Sequence, residues 1–139
     1  MHRAVYQAQP EARAILHSSA FYTTLVACSD IELRVDLIPE AMAYLNNIGR
    51  VPYLHPGTAG LAQAAGEQAS HNVIILDNHG LLVWGKTLDE TVLVSELMER
   101  LCQTLVVARL GAGAFNLRWL GHEVQQDFDR LRYARRSAS

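Results

Sequence analysis

Two histidines in this chain stand where an imidazole could meet a ligand. His79 lies in the break between two short apolar runs, residues 73–76 and 81–84, and His17 closes the run Ala-Arg-Ala-Ile-Leu-His that begins at Ala12. Side chains at strand ends and tight turns are the ones a sheet presents to bound molecules. Each histidine also has a plainer reading: His79 as a turn residue bonded to local backbone, His17 as a satisfied core histidine. His55, between two prolines in residues 51–58, faces either solvent or a site.

The elements that must position these rings follow from pattern. Val73, Ile74, Ile75 and Leu76 are consecutive, apolar and mostly β-branched, which predicts a buried strand. Gly80 permits a positive φ or a close backbone approach, and the run 81–84, stopped by Gly85, completes a hairpin with His79 at its turn. Thr87 with Glu90 three residues on has the spacing of a capping box, so a long helix is expected from Leu88 to about Leu110. Val94, Leu97, Met98, Leu101, Leu105 and Ala108 would form one apolar stripe on it over about 35 Å, with Gly111 and Gly113 ending it.

Earlier in the chain, residues 1–9 read as the tail of a helix ended by Pro10, and since the pattern is present from the first residue, an upstream part of the fold is expected. Residues 12–17 read as a strand, and Ser18 or Ser19 as the cap of a helix with Phe21, Tyr22, Leu25 and Val26 on its apolar side. Ile31, Leu33, Val35 and Leu37 alternate with Glu32, Arg34 and Asp36, which predicts a strand with one wet face. Pro39 suits the first turn of a helix over residues 40–45, with Gly49 as its end. Pro52 and Pro56 keep residues 51–58 extended, and Thr58 caps a small-residue helix over 59–69. A last amphipathic helix carries Trp119, Val124, Phe128 and Leu131 on one side and runs into Arg130, Arg132, Arg135 and Arg136, a solvated C-terminus that suits the helix dipole.

At 139 residues, half of them hydrophobic, the chain is one domain's worth with enough apolar surface for a core. A net charge of −2 with scattered signs offers no basic face to nucleic acid. No apolar run approaches the roughly 20 residues of a membrane span, so no membrane partner is expected and the cytoplasm is the expected address. Cys28 and Cys102 lie far apart among apolar neighbours with no C-x-x-C spacing, which reads as two buried thiols. Strands alternating with helices give an α/β class, helices layered on a sheet.

Three stretches, taken together and in order, resemble the class II aldolase/adducin family. They are the run from His2 through Pro10 to His17, then Pro52-Tyr53 with Gly57-Thr58, then Leu76-Asp77-Asn78-His79-Gly80-Leu81-Leu82-Val83-Trp84-Gly85-Lys86-Thr87-Leu88. The family includes fuculose-phosphate aldolase and ribulose-phosphate epimerase. The resemblance implies a layered α/β/α domain around a central, largely antiparallel sheet, with residues 1–139 forming one partial domain that lacks the N-terminal part.

The resemblance also implies chemistry. Enzymes of the family hold a divalent metal, usually zinc, by three imidazoles, and the metal polarises the substrate's oxygens and stabilises an enediolate. Carried over, His17 is the first ligand and His79 the third. Ser19 occupies the second position, and a neutral hydroxyl is a poor zinc ligand, so zinc or another divalent metal is expected to be weakly held or absent. His55 is a candidate replacement ligand. The family's acid/base glutamate and phosphate-binding loops fall before Met1, so no catalytic residue is identified in this chain. The implied partners are a sugar phosphate, for an active protein, and further copies of the chain in a homo-oligomer. The alternative is a non-catalytic, adducin-like assembly module or a degenerate gene fragment.

Overall fold

Val73, Ile74, Ile75 and Leu76 are all buried, as a strand covered on both faces requires. The computed structural model describes residues 1–45 and 48–137, the side chains of 132–137 excepted. Its elements are α1 (His2–Ala8), β1 (Ala14–Ser18), α2 (Phe21–Ala27), α3 (Pro39–Tyr44), β2 (Gly49–Val51), α4 (Ala59–Glu67), β3 (Val73–Leu76), β4 (Gly80–Gly85), α5 (Leu88–Leu110) and α6 (His122–Ser137). The strands form one sheet in the order β1-β4-β3-β2. β4 pairs antiparallel with both β1 and β3, and only β2–β3 is parallel, so the sheet is largely antiparallel as expected.

Alternation along each strand splits the core into two layers. On one face Val73, Ile75, Leu81 and Val83 pack with Val26 of α2, Ala41 of α3 and Val94, Met98, Leu101 and Leu105 of α5. On the other, Ile74, Leu76, Leu82 and Trp84 pack with Val5 of α1 and Leu61 and Ala65 of α4. The result is the α/β/α sandwich the resemblance implies, with β1 and β2 at its edges.

Local signals placed several elements well. α5 begins where the Thr87–Glu90 spacing predicts, with the Glu90 N–H donating to Thr87 Oγ1 at 3.1 Å. The Glu90 carboxylate reaches one residue further back than in the standard box and accepts from the Lys86 N–H at 2.6 Å. Thr58 caps α4, accepting from the Leu61 N–H at 3.3 Å, and Pro39 opens α3.

Other expectations are corrected. Residues 31–37 form no strand among the described residues: Ile31, Leu33 and Val35 lean on the α2/α3/α5 layer while Arg34 turns back onto Asp36. An alternating pattern reports one-sided packing, and here the helix layer supplies it without a ladder. α3 ends at Tyr44, and Gly49 opens β2, where a Cβ would stand 2.9 Å from the His71 ring. Neither Ser18 nor Ser19 caps α2; its N-cap is Ala20, which has no side-chain acceptor. Phe21 and Leu25 are exposed on α2, and the buried positions are Thr23, Val26 and Ala27. Cys28 is exposed, just past the end of α2, while Cys102 is buried. Trp119 precedes α6 and stacks on Arg34, the guanidinium 4.1 Å from its ring centroid. The side chains of Arg132, Arg135 and Arg136 lie outside the described residues.

Candidate metal centre

β1 runs antiparallel to β4, with Ser18 opposite Leu81 and His17 opposite Leu82. That register brings the end of β1 against the start of β4, and the Asp77-Asn78-His79 turn sits at the same edge. Asn78 takes a left-handed φ of 55°, and Gly80 a φ of +147° that a side chain rarely adopts. The backbones meet so closely there that a Cβ on Gly80 would lie 2.5 Å from the Ser18 carbonyl oxygen.

The close approach carries the two sequence-nominated rings together. The centroids of His17 and His79 are 4.8 Å apart, with the ring planes at 81°. His17 Nδ1 is 2.8 Å from the Leu81 carbonyl oxygen. A carbonyl only accepts, so Nδ1 carries a hydrogen, which leaves Nε2 as the nitrogen able to offer a lone pair. An imidazole oriented by a backbone carbonyl in this way is the usual supporting arrangement for a metal ligand.

His79 Nδ1 is buried and has no hydrogen-bond partner among the described residues. Burial, and secondarily the charge on His17, hold the His79 imidazole below its ordinary value, favouring the neutral ring that can offer a lone pair. Burial, the N-terminal ammonium and His17 lower His2 in the same direction. Met1 and Val5, at the start of α1, pack on the sheet face that Ile15 of β1 shares with α4.

Ser19 is exposed one residue beyond β1. His55 sits in the exposed segment after β2, its Nδ1 3.5 Å from the Tyr53 hydroxyl. The structure does not bring His55 to the ring pair: among the described residues, no group of three or more His, Cys, Asp and Glu is placed to hold a metal ion. The donor set thus fits a divalent cation at two corners, through His17 and His79. A third imidazole, thiolate or carboxylate is not supplied by the described residues, and tight zinc sites use three protein ligands or more.

Two supports of this region were not read from the sequence. Glu99 of α5 accepts from the N–H groups of Tyr22 and Thr23 at 2.9 and 2.8 Å, supplying the cap that Ala20 lacks. Arg50 of β2 pairs with Asp77, the first residue of the His79 turn, at 2.5 Å. Both act on residues far along the chain, 76 and 27 positions away, and leave no local sequence signal.

The fold has counterparts among known proteins. An L-fuculose phosphate aldolase from Methanococcus vannielii is 32% identical over 103 residues, covering 74% of this chain and 56% of the relative. A 3-oxo-tetronate 4-phosphate decarboxylase from Escherichia coli is 29% identical over 112 residues, covering 76% of this chain and 52% of the relative. The chain spans about half the length of these curated relatives. Among solved structures, YgbL of Klebsiella pneumoniae superposes with a TM-score of 0.82 at 27% identity, covering 91% of this chain and 62% of that one. The L-fuculose 1-phosphate aldolase of Glaciozyma antarctica gives 0.70 at 25% identity, covering 94% and 48%. Residues 1–106 match the class II aldolase and adducin N-terminal domain, and the chain belongs to that family.

Proposed function

We propose that this chain carries the metal-binding part of a class II aldolase-type site that acts on a sugar phosphate, with His17 and His79 as ligands to zinc or a similar divalent cation. The observation that carries this reading is the ring pair: two imidazoles 4.8 Å apart, one of them held by the Leu81 carbonyl with its Nε2 left free. The relatives named for L-fuculose phosphate and 3-oxo-tetronate 4-phosphate support a phosphorylated sugar or sugar acid as substrate class. The bound cation would supply Lewis-acid polarisation of the substrate's oxygens.

The chain's own residues do the rest of the positioning. The Leu81 carbonyl fixes the His17 tautomer, and burial lowers the His79 pKa, which favours its neutral ring. Gly80 lets β1 and the hairpin close to a separation that any side chain would prevent. None of these groups is placed as a proton-transferring base, and proton transfer would need one of matched pKa within reach.

Ser19 favours a second reading, an aldolase-like module that serves in assembly rather than catalysis. A homo-oligomer in the cytoplasm fits both readings. Exposed Val107, Leu110 and Phe115 give the chain apolar surface for such contacts.

Metal analysis and a retro-aldol assay on L-fuculose 1-phosphate test the proposal. Zinc that a chelator strips readily, and that is lost in His17→Ala and in His79→Ala, is the expected result. Zinc retained in both variants would overturn the metal assignment. Zinc-dependent turnover would favour the enzyme, and zinc binding without turnover the assembly module.

A further inference from the structure

Arg50 is exposed on β2, between the buried Gly49 and Val51. Val51 faces the α1/α4 layer, so the alternation of the strand sends Arg50 to the opposite face, the side of α2. Among the described residues its guanidinium makes two contacts there. Nε meets Asp77 Oδ1 at 2.5 Å, and Nη2 donates to the Ser29 carbonyl at 3.1 Å.

Those acceptors belong to the two limbs of the metal centre. Asp77 opens the turn that carries His79, and Ser29 lies just past the end of α2, the helix that follows the His17 strand. Backbone bonds run between the same limbs: the Asp77 N–H donates to the Val51 carbonyl at 2.9 Å and the Asn78 N–H to the Ala27 carbonyl at 3.0 Å. The His79 turn is thus held on one side by β2 and on the other by the end of α2. The Arg50 side chain touches both.

We infer that Arg50 is a positioning residue, which sets the separation of the His17 and His79 rings from the far face of the sheet by clipping the His79 turn to the helix that follows His17. The inference rests on reading the ring pair as a metal centre. The planar fork of arginine can direct Nε and Nη2 at two acceptors at once, whereas an ammonium is a single point charge on a flexible stem. As an ordinary surface ion pair, with side chains 41% and 27% exposed, Arg50–Asp77 would contribute little to stability and nothing to the rings.

The test uses the full chain with Arg50→Lys, Asp77→Asn and the double variant, and a readout that needs no metal. Nuclear Overhauser contacts between the ring protons of His17 and His79 are measured in the metal-free protein, and cobalt(II) is titrated by its absorption spectrum. The expected result is weakened ring contacts in both single variants and a cobalt affinity lower by about 10-fold or more, the scale of lost outer-shell support. The double variant should be no worse than the singles, because both cut one clip. Ring contacts unchanged in both Arg50→Lys and Asp77→Asn would overturn the inference. Should the parent protein bind no cobalt, the metal reading fails, and the ring contacts still decide the role of Arg50.

Discussion

Glu99 Oε2 accepts from both the backbone N–H and the hydroxyl of Thr23, at 2.8 and 2.7 Å, although the two residues are 76 positions apart. The carboxylate of one helix thereby caps the first turn of another, where Ala20 can accept nothing. Thr23 is fully buried, so removing the partner also leaves a buried hydroxyl unsatisfied. Glu99→Ala is expected to lower stability by about 1–3 kcal/mol, and Glu99→Gln by less. Urea denaturation gives the comparison, and an unchanged midpoint for Glu99→Ala would show that α2 is held by its apolar contacts alone.

Gly80→Ala makes a sharper case at the site itself. The new Cβ would stand 2.5 Å from the Ser18 carbonyl, at a φ of +147° that strains any side chain. Backbone strain of this kind costs about 1–3 kcal/mol, and relief requires β1 to move away from the hairpin. The variant should therefore both melt lower and lose ring contacts between His17 and His79. A variant that melts lower with its ring contacts intact would mean that the strain relaxes elsewhere in the turn.

What was legible in the sequence was whatever neighbouring residues decide. Val73 to Leu76, the Thr87 cap and the α5 stripe depend on residues within a turn or two, and they stand where the pattern put them. Residues 31–37 alternate correctly yet lack a ladder, because alternation cannot say whether a strand or a helix layer covers the apolar side. β2 was missed since Gly49 looks like a helix stop, and only the Gln68 and His71 side chains crowding its Cα explain the residue. The strand-end placement of His17 and His79 was readable, but their meeting depends on the β1–β4 register, a pairing across more than sixty positions that the family resemblance supplied. Glu99 and Arg50 act on residues far along the chain and left no local pattern.

Asp36 offers a pH test away from the histidines. Hydrogen bonds from the Arg34 guanidinium, at 3.1 and 2.6 Å, hold its carboxyl below the ordinary range against the opposing effect of burial. A depressed folded-state pKa means the unfolded chain binds the proton more readily. The contribution is therefore complete above the ordinary carboxylate pKa and is lost as pH falls through the lowered value of the folded protein. Arg34→Gln should be less stable than the parent near neutral pH, and the gap should narrow in acid. A gap that stays constant down to pH ~3 would show that Arg34 works through its stacking on Trp119 instead.

The two cysteines should separate in a thiol titration. Cys28 is exposed, whereas burial pushes the Cys102 thiol up to about 12, far from the reactive thiolate form. Native protein is expected to react quickly at Cys28 alone, with Cys102 labelled only after denaturant is added. Peptide mapping of the labelled product identifies the site, and rapid labelling of Cys102 in native protein would mean that α5 opens locally.

The most direct test of the metal centre is Ser19→His. Successive side chains of an extended segment alternate, so a chain that stays extended one residue past β1 would project position 19 to the side of His17, and Ser19 is exposed. A third imidazole would complete the minimum protein ligand set for zinc. Because loss of an outer-shell partner alone changes metal affinity by about 10–100-fold, gain of a direct ligand should tighten zinc by at least about 100-fold and make it resist a chelator. Stability of the metal-free protein should barely change, since no buried contact is lost. Ser19→Ala serves as the control and should bind zinc as the parent does. If Ser19→His binds within a few-fold of the parent, position 19 does not face the ring pair, and the comparison of this chain with three-imidazole enzymes fails at that corner.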